Sequence, residues 1–78
     1  MRKLILIYSK PACAYCYRAK KYLEGHKLEY KEIDITVDSF ARQFILEQGH
    51  KTVPQIYLNG RSIGGYEDLI KLDIKDLK

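Results

Sequence analysis

The sequence predicts an α/β fold in which a mixed four-stranded sheet carries three helices, in the order βαβ-α-ββ-α. Residues 3–8 form a near-continuous apolar run, which is typical of a strand buried on both faces. A helical pattern follows this run directly. Near the end of the chain, Asn59-Gly60 separates two short strand-like segments, as in a two-residue hairpin turn. A parallel pair joined by a helix, together with an antiparallel hairpin, makes the sheet mixed.

The first half of the chain predicts a βαβ unit. Over residues 14–24 the apolar positions recur at helical spacing, and Gly25 follows where helices commonly end. Residues 28–33 alternate in polarity and predict a second strand. We expect this strand to lie parallel to the first, through a right-handed crossover.

A second helix is predicted over residues 39–48. Asp38 is suited to cap its start, and Gly49 is suited to end it. Phe40 and Phe44 share one face of this helix, so we expect both rings in the core.

The last third of the chain predicts a hairpin and a third helix. Residues 55–58 and 61–63 are the two strands on either side of the type I′ turn. After a pair of glycines, the helix begins at Tyr66 and carries apolar residues that include Leu69 and Leu77.

The length of 78 residues predicts a single domain, 1–78, with only a small core. Such a core has no room for a large cofactor cavity. We therefore expect no tightly bound cofactor, and we expect the chemistry to lie at the surface.

Charge and hydropathy exclude two kinds of partner. The net charge of +4 comes from basic residues that are scattered among acids, so no basic stripe for nucleic acid is expected. No apolar run approaches the roughly 20 residues of a membrane span. The start at Met1-Arg2 could resemble a signal peptide, but the apolar run is too brief and lacks a small-residue cleavage site.

The only two cysteines of the chain, Cys13 and Cys16, lie between the first strand and the first helix. Backbone N–H groups and the positive end of the dipole at a helix N-terminus stabilise a thiolate. If Cys13 caps the helix, it is the attacking thiol. Cys16 would then lie one turn below, turned toward the interior, where it suits the resolving role.

Two other interpretations of the cysteine pair are less well supported. A zinc site would need nitrogen ligands, but His26 and His50 do not have the spacing of a zinc site. Each histidine adjoins a predicted helix end, so we expect surface positions and no metal. A structural disulfide of a secreted protein would close too small a ring to contribute much, so the spacing favours a reducing cytoplasm.

Four segments of the chain, residues 10–16, 52–55, 59–60 and 64–69, together resemble the glutaredoxin family in their order and spacing. The resemblance covers essentially the whole chain. It implies a thioredoxin-like fold and a glutathione-dependent thiol-disulfide oxidoreductase, with glutathione as co-substrate. One departure is Ala14, which stands where dithiol members usually carry proline between the cysteines.

The resemblance also implies how glutathione is held. Pro54 would be cis and would face the cysteines, while Val53 would offer its backbone to the cysteinyl part of the tripeptide. Lys10 would meet the glycyl carboxylate, with Arg42 a weaker candidate beside it, and Asp68 would hold the γ-glutamyl end. By its position alone, Asp68 equally fits a residue that interacts with the helix dipole. The implied set is Lys10, Tyr15, Thr52, Val53, Pro54, Gly65 and Asp68.

The expected protein partners are glutathionylated or disulfide-containing proteins, with ribonucleotide reductase as one candidate, and we expect a monomer. An alternative is a redoxin of the same fold that is reduced by thioredoxin reductase. A less favoured alternative is a binding module that holds a metal through Cys13 and Cys16.

Overall fold

The computed structural model describes residues 3–78, and its four strands form one mixed sheet, as predicted. The strands are β1 (Ile5–Ser9), β2 (Lys31–Asp34), β3 (Gln55–Leu58) and β4 (Arg61–Gly64), in the spatial order β2-β1-β3-β4. β1 pairs parallel with β2 and antiparallel with β3, and β3 pairs antiparallel with β4. Met1 and Arg2, which the single-domain prediction includes, lie outside the described residues.

The described chain has four helices where the sequence predicted three: α1 (Ala14–Gly25), α2 (Ser39–Glu47), α3 (Tyr66–Lys71) and α4 (Ile74–Leu77). The prediction of one continuous final helix is wrong, because Leu72 takes an extended conformation with ψ of 148°. Asp73 then begins α4 by accepting a hydrogen bond from the Lys75 N–H at 3.0 Å. Aspartate competes in this way with helix continuation. No helix within residues 3–78 is both long and apolar enough to cross a membrane.

β1 lies at the centre of the sheet and contributes to a core on each of its faces. Ile5 and Ile7 point to one face and Tyr8 points to the other, as the two-residue period of a strand requires. The first core also takes residues from α1, α3 and α4, and the second takes residues from α2. The helices therefore cover both faces of the sheet, and the carboxyl end of β1 leads directly to the cysteine pair.

The prediction that Phe40 belongs to the core is wrong, since 89% of that residue is exposed. Ala41 and Ile45 are the buried residues of α2. The rings of Tyr8 and Tyr57 already fill this face of the sheet, so the small Ala41 lies where a phenylalanine would not fit. Phe44, also predicted as core, is only partly covered, with its ring centroid 5.7 Å from that of Tyr8.

The hairpin prediction is confirmed. Asn59 and Gly60 have φ of 51° and 85°, as a type I′ turn requires. The Asn59 N–H donates to the Leu4 carbonyl, and the Leu4 N–H donates to Asn59 Oδ1, each at 2.8 Å. The turn is thereby joined to the start of β1.

Candidate dithiol active site

Cys13 is the N-cap of α1, as predicted. Ala12 before it has a φ of 59°, and Cys13 itself is extended, with φ of −112° and ψ of 110°. This conformation turns the side chain back over the first turn, where Sγ accepts the Cys16 N–H at 3.2 Å. The Cys13 sulfur therefore accepts a hydrogen bond from a backbone amide in the first turn of α1, as the side chain of an N-cap residue commonly does.

Cys16 lies at the third helical position and is only 2% exposed, so its predicted interior placement is confirmed. Burial, and then the hydrogen bond with Cys13, raise the pKa of the Cys16 thiol to about 12. Both cysteines are free thiols, and Cys13 is the more accessible of the two. The pair can therefore undergo thiol–disulfide exchange in which an outside partner meets Cys13 first.

Val53 connects the cysteine pair to a surface groove. The Val53–Pro54 peptide bond is cis, as the family resemblance implied, and the Cys13 S–H donates to the Val53 carbonyl at 3.8 Å. We define the Val53 groove as two adjoining cavities, of about 580 and 180 Å³, that share His50, Thr52 and Val53 as lining residues.

All seven residues of the implied glutathione set line the Val53 groove. The larger cavity is lined by Tyr15, Pro54, Gly65 and Asp68 in addition to the shared residues. The smaller cavity is lined by Lys10 together with Arg42 and Lys51. One end of the groove therefore carries cationic side chains, and the other carries a carboxylate.

Asp68 is fixed at its end of the groove by the start of α3. Its Oδ2 accepts the Gly65 N–H at 3.1 Å. Gly64 has a φ of 116°, and a Cβ placed there would lie 2.3 Å from the same Oδ2. The glycine therefore allows the carboxylate to fold back onto the backbone.

Tyr15 stands beside the cysteines with its ring held from two sides. Its centroid is 6.0 Å from that of Tyr66, and the Arg18 guanidinium lies 5.2 Å from it. Half of Tyr15 remains exposed at the rim of the groove.

Sequence reasoning did not assign a role to several groove residues, among them His50, Gln55 and Tyr66. The prediction of a surface His50 was wrong in part, because the side chain is half-buried and its Nε2 lies 2.9 Å from the Tyr57 hydroxyl. Gln55 Nε2 donates to the Thr52 carbonyl at 2.8 Å, while its buried Oε1 has no hydrogen-bond partner among residues 3–78. Gln55 belongs to the segment 52–55 that carries the resemblance, whereas the position of His50 depends on how α2 meets β3.

A third cavity, of about 660 Å³, is lined by both cysteines, and we call it the Glu32 cavity. Glu32 Oε2 accepts hydrogen bonds from Ser9 Oγ at 2.7 Å and from Lys20 Nζ at 3.0 Å. The bond from Ser9, and then that from Lys20, lower the pKa of the Glu32 carboxyl. These three residues come from β1, α1 and β2, so no motif in the sequence indicates that they meet.

The described residues 3–78 contain no group of three or more histidine, cysteine or acidic side chains arranged to hold a metal ion. The expected surface position of His26 is confirmed: it is exposed at the end of α1, with its ring 4.6 Å from that of Tyr22.

Comparison with known proteins gives consistent matches. The family model described as Glutaredoxin matches residues 5–63. Glutaredoxin 3 of Escherichia coli K12 is 37% identical over 70 residues, which are 88% of this chain and 84% of that protein. Among solved structures, a buckwheat glutaredoxin–glutathione complex matches with a TM-score of 0.78 and 30% identity, covering 94% of this chain and 70% of the other.

A third likeness is to the glutaredoxin-like protein NrdH-redoxin of Escherichia coli, whose structure was described as the basis of a thioredoxin-like activity profile. It matches with a TM-score of 0.82 and covers 96% of this chain and 95% of the other. At 21% identity, this likeness shows the fold alone.

Proposed function

Because the chain belongs to the glutaredoxin family, and is thus a thiol-disulfide oxidoreductase, we propose that it uses glutathione as its reductant through the Cys13/Cys16 pair. The observation that carries this proposal is the Val53 groove, which begins 3.8 Å from the Cys13 sulfur and has opposite charges at its two ends. The related buckwheat protein was solved as a glutathione complex.

In the proposed binding mode, glutathione lies along the groove as a short extended peptide. The Val53 backbone pairs with the cysteinyl residue, as an added strand pairs with a sheet edge. Lys10 binds the glycyl carboxylate through its ammonium. Asp68 binds the γ-glutamyl ammonium. Pro54 and Thr52 shape the floor of the groove, and Tyr15 covers its rim.

On a glutathionylated protein, the Cys13 thiolate attacks the glutathione sulfur, and the disulfide to the protein breaks. The protein leaves as a thiolate, which takes up a proton. A second glutathione thiolate then attacks the glutathione sulfur of the mixed disulfide, which releases oxidised glutathione and restores Cys13.

On a protein disulfide, Cys13 first forms a mixed disulfide with the client. Cys16 then attacks Cys13 Sγ, the client leaves reduced, and glutathione reopens the resulting ring in two exchanges. We propose ribonucleotide reductase as one such client, and we propose that the protein acts as a monomer in the reducing cytoplasm.

The test is NADPH consumption with a glutathione mixed disulfide as substrate, measured once with glutathione and glutathione reductase and once with thioredoxin reductase alone. We expect turnover in the first assay only. A Cys13→Ser variant should be inactive, while Cys16→Ser should keep reduction of glutathione mixed disulfides and lose most reduction of protein disulfides.

Turnover only with thioredoxin reductase would contradict the proposal and favour the alternative redoxin. Stoichiometric metal in anaerobically purified protein that resists glutathione would instead favour the metal-binding module.

A further inference from the structure

The charged residues Lys20, Glu32 and Asp34 of the Glu32 cavity have no role in the mechanism proposed above. Lys10 is the one lining residue that this cavity shares with the Val53 groove. Both cysteines line it, together with Lys20, Glu32 and Asp34. The resolving thiol therefore has a set of charged neighbours that the glutathione route does not use.

Lys20 is held in this cavity rather than left free in solvent. It lies four residues after Cys16 on α1, so the two side chains share one face of the helix. Its Nζ is 3.0 Å from Glu32 Oε2, which also accepts the hydroxyl of the buried Ser9. Because β1 and β2 together fix the carboxylate, they also fix the ammonium beside Cys16.

The other acid of the cavity is already engaged. Asp34 Oδ1 accepts from the Thr36 N–H at 2.8 Å and from the Thr36 hydroxyl at 2.6 Å. These bonds hold the Asp34 carboxylate against the turn that follows β2.

Cys16 must lose its proton before it can attack, and the protein interior opposes that loss. Burial is the main cause of the raised pKa of Cys16. A hydrogen bond from the Lys10 backbone, and after it the charge of Lys20, act in the opposite direction. A thiol attacks as the thiolate, so any group that favours this form at Cys16 speeds the step in which the client is released.

We propose that Lys20, held by Glu32 and Ser9, is a positioning residue for this second exchange and stabilises the Cys16 thiolate as it attacks Cys13. The inference rests on the proposed dithiol function. In this step the bond between Cys16 Sγ and Cys13 Sγ forms, and the bond from Cys13 Sγ to the client sulfur breaks. The client leaves as a thiolate, reduced, and the cysteine pair becomes the disulfide. The proton of Cys16 has by then passed to solvent in the cavity.

Ellman's reagent tests this proposal without glutathione or any client. The reduced chain should release two thionitrobenzoate anions in succession: the first when Cys13 attacks the reagent, and the second when Cys16 displaces the group left on Cys13. Absorbance therefore reports the two cysteines as separate kinetic phases.

We expect Lys20→Met to slow the second phase about threefold at neutral pH and to leave the first phase almost unchanged. Loss of the Lys20 charge would lower the thiolate fraction of Cys16, and the greater nucleophilicity of the more basic thiolate recovers part of that loss. Lys20→Arg should restore the second phase. The matched control is Lys21→Met, which removes a cation paired with Glu24 at 3.5 Å on the exposed side of α1.

An unchanged second phase in Lys20→Met, an equal slowing of both phases, or an equal effect of Lys21→Met would overturn the role of Lys20. The first phase also shows whether each variant has kept its active site. If the parent chain releases only one thionitrobenzoate anion, the proposed dithiol function fails, and this inference fails with it.

Discussion

Asp68 shows how one carboxylate combines a structural contact with a proposed ligand contact. Its position in the first turn of α3 is that of an ordinary helix-capping acid, and Oδ2 does accept the Gly65 N–H. The same carboxylate lines the Val53 groove at the end opposite Lys10. Because an asparagine retains a capping oxygen but has no charge, substitution can separate the two contributions.

We expect Asp68→Asn to raise the KM for glutathione about tenfold, the equivalent of about 1.4 kcal/mol for the lost charge. Its free energy of unfolding should stay within about 0.5 kcal/mol of the parent. Asp68→Ala should raise the KM similarly and also lose about 1 kcal/mol of stability, because the cap is removed. Steady-state kinetics and urea unfolding provide the two measurements. A less stable Asp68→Asn protein with an unchanged KM would make this residue purely structural.

At the scale of an element, α2 shows that a helical pattern does not by itself say which residues are buried. Its rows 40/44 and 41/45 are adjacent on the helix surface, and both contain apolar residues. The sheet face beneath α2 carries the large side chains of Tyr8 and Tyr57. The row 41/45, which contains the small Ala41, therefore packs against the sheet. Phe40 is left outside.

Two substitutions in α2 test this arrangement. Phe40→Gln should change the free energy of unfolding by less than about 0.5 kcal/mol, because the ring is exposed. Ile45→Ala, at a site that is 3% exposed, should cost about 2–4 kcal/mol through lost burial and a cavity. Urea denaturation of both variants decides the point. A costly Phe40→Gln would mean that the ring is packed after all.

At the scale of the whole molecule, hydrogen bonds to carboxylates link α1, β1, β2 and the turn that follows β2. In three carboxyl groups, a hydrogen bond from a hydroxyl is the largest cause of a lowered pKa. The donors are Tyr30 for Glu24, Ser9 for Glu32 and Thr36 for Asp34. The folded protein therefore binds protons at these sites less readily than the unfolded chain does.

We accordingly expect the free energy of unfolding to fall as the pH is lowered from about 5 toward 3, where the unfolded chain takes up more protons than the folded one. The contribution of each site is present above the unfolded pKa and is lost on acidification. Thermal midpoints across this range provide the measurement, and Glu32→Gln should flatten the curve. Stability that is constant or rises toward pH 3 would contradict the lowered pKa values.

The sequence by itself determined the features that depend on neighbouring residues. The buried run of β1, the Asn59-Gly60 turn, the cap at Asp38 and the placement of Cys13 above Cys16 all follow from local conformational preference and spacing. The residues that the motif segments imply for glutathione binding also all line one groove of the structure.

Only the tertiary structure decided where separate elements meet. Two sets of contacts join residues from separate parts of the chain: His50 with Tyr57, and Glu32 with both Ser9 and Lys20. The exposure of Phe40 likewise depends on how α2 packs on the sheet. Their burial and partners depend on how a helix rotates over a sheet already filled by larger side chains. No periodicity along the chain encodes that packing, because the competing arrangements differ in long-range contacts and not in local preference.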